Sequence, residues 1–280
     1  MRETMLTANN TIKSDSYNQR ASESNTDKSL YDNLKKTSEN KDYQEQDMIH
    51  TTGIAVLDRT LGGGLPAGSL TYFSADPRSM SEIFIYQFTQ SRKTYYFTTT
   101  RRPKYVFEDI VSAGFDPSNI IFVDIYSEYY FSSHGDMTEN VGNEYADSKI
   151  IEFTEYNIRN IENDSKGEDI NIIIDSFSFF MNLSVNPGII KQLTNLLYET
   201  TKNLQCLTYF YCIKGGQPEF IENSIIFNSD VIFEASLERA SDKVISTLYI
   251  PKIRGMIPSA EIIKFKIGEG VQIDTSRDIA

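Results

Sequence analysis

Residues 53–88 read GIAVLDRTLGGGLPAGSLTYFSADPRSMSEIFIYQF. A glycine-rich turn at 62–68 leads into an apolar run at 69–73. A polar loop spans 74–79, after which Ile83, Phe84, Gln87 and Phe88 recur at helical spacing. Strand, loop and helix in this order form the frame of a phosphate-binding loop. Such a loop needs glycines, so that backbone N–H groups can surround the phosphates. It also needs a lysine that reaches the outer phosphates and a Ser or Thr hydroxyl for magnesium.

The frame is present without those groups. Against the pattern G-x-x-x-x-G-K-[ST], positions 75 to 82 hold Ala75, Asp76, Pro77, Arg78, Ser79, Met80, Ser81 and Glu82. Both glycines, the lysine and the magnesium hydroxyl are replaced. Met80 adds bulk where backbone must approach a ligand. Glu82 sets a negative charge at a helix N-terminus otherwise suited to anions. These eight residues read as a degenerate phosphate loop that has lost ordinary ATP chemistry, and no residue is expected to be catalytic.

The stretch GIAVLDRTLGGGLPAGSL resembles the lead-in of the RecA superfamily, in the branch of the circadian-clock ATPase KaiC and its archaeal relatives. There, G-I-x-x-L-D-x-x-L-G-G-G-[LI]-P-x-G-[ST] precedes the first core strand. LPAGSLTYFSADPRSMSE and the ending VQIDTSRDIA are similar to RecA-like proteins of halophilic archaea described as transducer-like or "HTR-like". The resemblance runs from about residue 50 to the end, roughly one domain's length. It implies an α/β RecA-like core: a mainly parallel twisted sheet flanked by helices, with antiparallel strands at the C-terminal end. In KaiC-like ATPases an acidic pair follows the second core strand and activates the attacking water. Aligned on Pro103, those positions are Thr100 and Arg101, and neither side chain does that well. Glu108 and Asp109 fall on the following helix, at 104–114. The resemblance also implies a K-x-R between late strands whose cations contact a neighbouring subunit's nucleotide; here it is Lys252, Ile253, Arg254. Lys252 and Arg254 read as a retained subunit or partner interface, or as a charged strand-edge pair that resists aggregation.

A length of 280 residues fits one domain plus an extension. Residues 1–47 are rich in Ser, Asn, Asp, Lys and Glu, too polar to offset the entropy of ordering, and are expected to be disordered. Within them, KSLYDNLKK at 28–36 places Leu30, Tyr31 and Leu34 on one helical face, either a docking segment or a solvated tail. Residues 48–280 form the RecA/KaiC-like domain. The net charge of −12 argues against a general nucleic-acid binder, which needs a basic surface. Cys206 and Cys212 lie in one apolar run and read as buried thiols of a cytoplasmic protein, without metal-ligand spacing. MRETMLTANN has no apolar signal core, and no apolar run is long enough to cross a bilayer.

Further along, strands are expected at 94–98 and 119–125, then a loop over 126–148 in which His134 stands alone, then a helix over 149–163. NIIIDSFSFF at 171–180 is a buried apolar strand ending in Asp175, the Walker B pattern in which the Asp joins the magnesium shell. Without the loop lysine and hydroxyl, Asp175 reads as structural. A helix at 188–203 precedes a central strand at 206–213 and the loop KGGQPEF. Short strands follow at 230–234, 244–251, 261–267 and 271–274. The alternation predicts an α/β fold with the altered loop at the carboxyl end of the sheet.

A fold does not supply a function, and the site residues point away from hydrolysis. The leading expectation is a non-catalytic regulatory or signalling protein that binds a protein partner or itself and needs no cofactor. One alternative is an atypical ATPase in which Arg78 replaces the lysine and Glu82 holds magnesium together with Asp175, against the crowding by Pro77 and Met80. Another is a DNA-recombination accessory paralogue, for which Arg92, Lys93, Arg101, Arg102 and Lys104 are the nearest approach to a basic patch. Without nucleotide between subunits, a monomer or dimer is expected.

Overall fold

The computed structural model describes residues 49–139, 141–240, 243–257, 262–268 and 270–273. The expectations for residues 1–47, including the helix at 28–36, lie outside the described residues.

The lead-in folds back on itself before the sheet begins. β1 (Ile49–His50) pairs antiparallel with β2 (Leu65–Pro66), and α1 (Ala55–Thr60) lies between them. Asp58 of α1 holds the preceding chain. Its carboxylate accepts from the Thr52 amide at 2.8 Å, from the Thr52 hydroxyl at 2.7 Å, and from the Thr51 hydroxyl. Leu57, Leu61 and Leu65 are buried beneath this turn. Gly64 has φ +142, and a Cβ placed there would stand 2.1 Å from the His50 carbonyl oxygen. Only glycine lets β1 approach this closely.

The remaining elements are β3 (Leu70–Ala75), α2 (Glu82–Phe88), β4 (Lys93–Thr98), α3 (Pro103–Ser112), β5 (Ile120–Asp124), α4 (Ile125–Tyr130), α5 (Glu144–Asp164), β6 (Ile170–Asp175), α6 (Ser178–Met181), α7 (Pro187–Leu204), β7 (Leu207–Ile213), α8 (Glu219–Asn228), β8 (Val231–Ala240), β9 (Lys243–Ile253), β10 (Ile263–Gly268) and β11 (Gly270–Ile273). Among the described residues they build a nine-stranded sheet in the order β11-β10-β9-β8-β3-β7-β6-β4-β5. The strands from β8 through β3 to β5 run parallel, and β9, β10 and β11 extend the sheet antiparallel. Every residue of β3 and β6 is buried, as expected of parallel strands covered on both faces. One core gathers Phe73, Phe84, Phe88, Tyr209 and Phe233; the other gathers Phe97, Ile172, Phe177, Leu193 and Phe210. Ring stacking tightens both, with centroids 4.6 Å apart for Phe88–Tyr209 and 4.0 Å for Phe177–Phe210. No described helix is long and apolar enough to cross a membrane.

Several element boundaries differ from the expectations. The stretch 126–148 is not all loop. It contains α4, capped by the Asp124 carboxylate at 2.8 Å from the Ser127 amide, and the first turn of α5, capped by Asn143 at 3.0 Å from the Ala146 amide. Polar composition concealed these starts, but a cap needs only one well-placed side-chain oxygen. α8 begins at Glu219, inside the expected loop. β8 and β9 are strands of 10 and 11 residues rather than short ones. Lys252 therefore lies within β9, opposite Ile232 of β8 and beyond the stretch of β9 that pairs with β10. Cys206 and Cys212 are buried free thiols.

Gly64→Ala is expected to lower stability by more than about 3 kcal/mol in urea titrations, because the added methyl meets backbone rather than a mobile side chain. An unchanged midpoint would mean that β1 does not lie against the turn.

Candidate functional site

β3 sits between β7 and β8, with Ala75 in register with Ile213 and Ala235. Its carboxyl end delivers the chain into the loop at 75–82, where the polar groups turn inward. The Asp76 amide donates to the Ala235 carbonyl at 3.0 Å, and the Ser79 amide to the Asp76 carbonyl at 2.9 Å. The Arg78 amide donates to the Asp76 carboxylate at 2.9 Å, and Pro77 has no amide hydrogen. The Arg78 guanidinium also folds back on Asp76, with Nε and Nη2 at 3.0 and 2.7 Å from the two carboxylate oxygens. This fork lowers the Asp76 carboxyl to about 2, mainly through the hydrogen bonds from Arg78. The Ser79 hydroxyl donates to the Asp76 carbonyl at 2.6 Å and lies 2.9 Å from the Ser81 hydroxyl, which in turn is 3.3 Å from the Tyr211 hydroxyl.

Met80 occupies the position of the second pattern glycine, with φ +52. The backbone thus keeps a left-handed turn that glycine makes without strain and other residues make at about 1–2 kcal/mol. The Met80 side chain is 55% exposed, directed away from the packed interior.

Asp175, at the end of β6, is in register with Thr98 of β4 and with Tyr211 of β7. Its carboxylate accepts from the Tyr96 hydroxyl at 2.6 Å. Burial raises the Asp175 carboxyl above its ordinary value and the Glu82 charge adds to this; the Tyr96 hydrogen bond and the Arg101 charge oppose it. Beside it, Arg101 donates to Asp109 and to the Tyr86 hydroxyl. Thr99 joins the two strand ends, its hydroxyl donating to the Ser176 carbonyl at 2.9 Å and accepting from the Ser176 amide at 2.7 Å. The structure thus brings the altered loop, Glu82, Asp175 and Arg101 together around three tyrosines, Tyr86, Tyr96 and Tyr211. Burial raises all three phenols, so they stay protonated, and Tyr96 donates to Asp175. Sequence reasoning missed these tyrosines. The available signal was a hydroxyl-bearing ring in strand runs otherwise apolar, but its pairing with Asp175 depends on the β4–β6 register.

Lys252 and Arg254 are not part of this cluster. They lie where β9 meets the beginning of β8, near Val231, whereas the loop leaves β3 beside Ala235 at the other end. Four strand positions, roughly 13 Å, separate the two ends. Lys252 Nζ donates to the carbonyls of Ile226 and Phe227 at 3.2 and 3.0 Å, closing the C-terminus of α8. Arg254 is 3.3 Å from the buried Asp230, which also pairs with Lys202 at 2.7 Å. The basic residues considered for DNA are engaged one by one with other groups. Arg92 is buried against Asp169 and Asn171, Lys93 pairs with Glu168 at 2.7 Å, and Arg102 lies over the Phe131 ring at 4.0 Å. Lys104 lies over the Tyr105 ring at 4.7 Å, and His134 is an exposed loop residue beside Ser133. Among the described residues no three His, Cys, Asp or Glu side chains are grouped to hold a metal ion.

The profile of the family of unknown function DUF7125 matches residues 49–280. No curated protein matches. Two solved structures share the fold. One is the KaiC-like protein PH0186 from the hyperthermophilic archaeon Pyrococcus horikoshii OT3, at 17% identity and a TM-score of 0.61, covering 81% of this chain and 99% of that one. The other is the flagellar accessory protein FlaH from Methanocaldococcus jannaschii, at 16% identity and a TM-score of 0.63, covering 83% of this chain and 100% of that one. The fold is therefore the α/β fold that these two structures share.

The Arg78–Asp76 fork predicts that Asp76 titrates at about 2 and that Arg78→Ala returns it toward the ordinary value of about 3.9. The stability the fork provides is present above the ordinary value and lost as pH falls through the lowered one. Carboxyl-detected NMR titration reads both midpoints. Asp175 carries the opposite sign. Its carboxyl is raised on folding, so ionisation subtracts stability as pH rises from the ordinary value through the raised one. Asp175→Asn, which can still accept from Tyr96, is expected to stabilise the chain at neutral pH, with the gain vanishing in acid. Urea titrations across pH would contradict this by showing a loss at neutral pH.

Proposed function

This chain belongs to the family of unknown function DUF7125, and we propose that it is a non-catalytic RecA/KaiC-like regulatory or signalling protein that acts through protein–protein contacts. One observation carries the reading. From Asp76 to Ser79, each backbone amide hydrogen is already held within the loop or by β8, and Pro77 has none. A triphosphate cradle needs those donors pointing outward. Arg78, the only cation in the loop, is held on Asp76 by two side-chain bonds.

The surrounding charges support the same reading. Glu82 sets a negative charge at the start of α2, and Asp175 is turned to the Tyr96 hydroxyl, from which it accepts. Thr100 and Arg101 stand where KaiC-like ATPases carry the water-activating acids, and Arg101 is engaged by Asp109 and Tyr86. These residues do not fit a magnesium–nucleoside triphosphate, and we derive no hydrolytic step from them. The acidic composition accords with the resemblance to proteins of halophilic archaea and with a cytoplasmic setting.

Calorimetric titration of the full chain with Mg-ATP, in high potassium chloride, is expected to give no heat and no thermal shift. Micromolar binding, with hydrolysis abolished by Asp175→Ala, would overturn the proposal in favour of an atypical ATPase.

A further inference from the structure

α8 presents two aromatic side chains to solvent. Phe220 is 77% exposed and Phe227 is 78% exposed. Seven residues separate them, two helical turns or about 10.5 Å along one side of the helix. The opposite side is anchored: Ile225 is buried, and Glu222 accepts from the Tyr72 hydroxyl and from Gln217 at 2.7 Å. Packing therefore fixes the direction of both rings outward. Single exposed apolar residues are ordinary, but two rings on one stripe, beside a groove, form a patch. The groove, about 400 Å³, lies between α7 and α8 at the foot of Phe220, with Ile190, Thr194, Ile221 and Ser224 among its walls.

We infer that this face pairs with the same face of a second copy of the chain, α8 against α8 and antiparallel about a two-fold axis between Asn223 and Ser224. The stripe reads F-x-x-N-S-x-x-F from Phe220 to Phe227. It is symmetric about that midpoint, so an antiparallel copy sets Phe220 opposite Phe227 of the second copy, twice. This is the self-complementarity an isologous interface requires. The small Asn223 and Ser224 at the crossing permit close approach, and the groove beside Phe220 offers room for the incoming ring.

Charge completes the match. Glu219 is exposed at the first turn of α8, and Lys252 sits on the last carbonyls of α8. In the antiparallel pair, Glu219 of each copy comes to the helix end that carries Lys252 of the other. Four phenylalanines at roughly 150 Å² each supply roughly 600 Å², about half of the ~1,200 Å² of a stable specific interface. The walls of the groove add to this, and the dimer is expected to be reversible in the micromolar range. The inference goes beyond the proposed function by naming a surface and its occupant, and it needs no nucleotide.

Sedimentation equilibrium of the full chain, without nucleotide, is the test. The average mass is expected to climb with concentration from one chain toward two. Phe220→Asp and Phe227→Asp are each expected to weaken the dimer by at least roughly tenfold, with an unchanged thermal midpoint at concentrations where the chain is single, because both rings are exposed there. Glu219→Lys weakens it as well, through repulsion from Lys252. A single copy up to high micromolar concentration overturns the inference, as does any assembly that survives the double Phe220→Asp, Phe227→Asp substitution. Either result leaves the Mg-ATP titration to judge the proposed function separately.

Discussion

A strand covered on both faces and paired along both edges can place its polar groups only on its neighbours, and β3 is such a strand. Its six residues are buried, β7 lies along one edge and β8 along the other. Phe73 at its middle meets Phe84, Phe88, Tyr211 and Phe233, so the strand also fixes the seat of α2. The loop joining β3 to α2 is thereby held at both ends. Its shape is inherited from the sheet, whatever residues it carries.

That constraint explains how the loop holds a left-handed turn at Met80, a conformation that favours glycine. The strain is small beside the packing that holds the loop ends. The amides of Asp76, Arg78 and Ser79 face Asp76 and β8, and the cation at Arg78 is matched by a carboxylate two residues away. At the sheet end, Tyr96 supplies Asp175 with a neutral donor, and Arg101 stands near it without a direct bond. A buried carboxylate without partners would be costly, and here a phenol answers it.

The antiparallel finish was implied by the resemblance, while the periodicity of apolar residues announced the alternating strands and helices and the central place of the strand expected at 206–213. It did so because burial on both faces demands unbroken apolar runs. The glycine-rich lead-in was legible for a similar reason: Gly64 stands where any side chain meets the His50 carbonyl. The starts of α4 and α5 were hidden, since a helix of polar composition is announced by one capping oxygen and little else.

What the sequence by itself determined is the fold class and the place of the loop between β3 and α2. Only the tertiary structure decided what the remaining groups do. Tyr96 and Asp175 are 79 residues apart and meet because β4 and β6 are in register. Lys252 caps α8 and Arg254 answers Asp230 because β9 returns beside β8 toward the end remote from the loop. Local spacing controls backbone periodicity, whereas hydrogen-bond partners across a parallel sheet are set by strand order and register, which no short stretch of sequence contains.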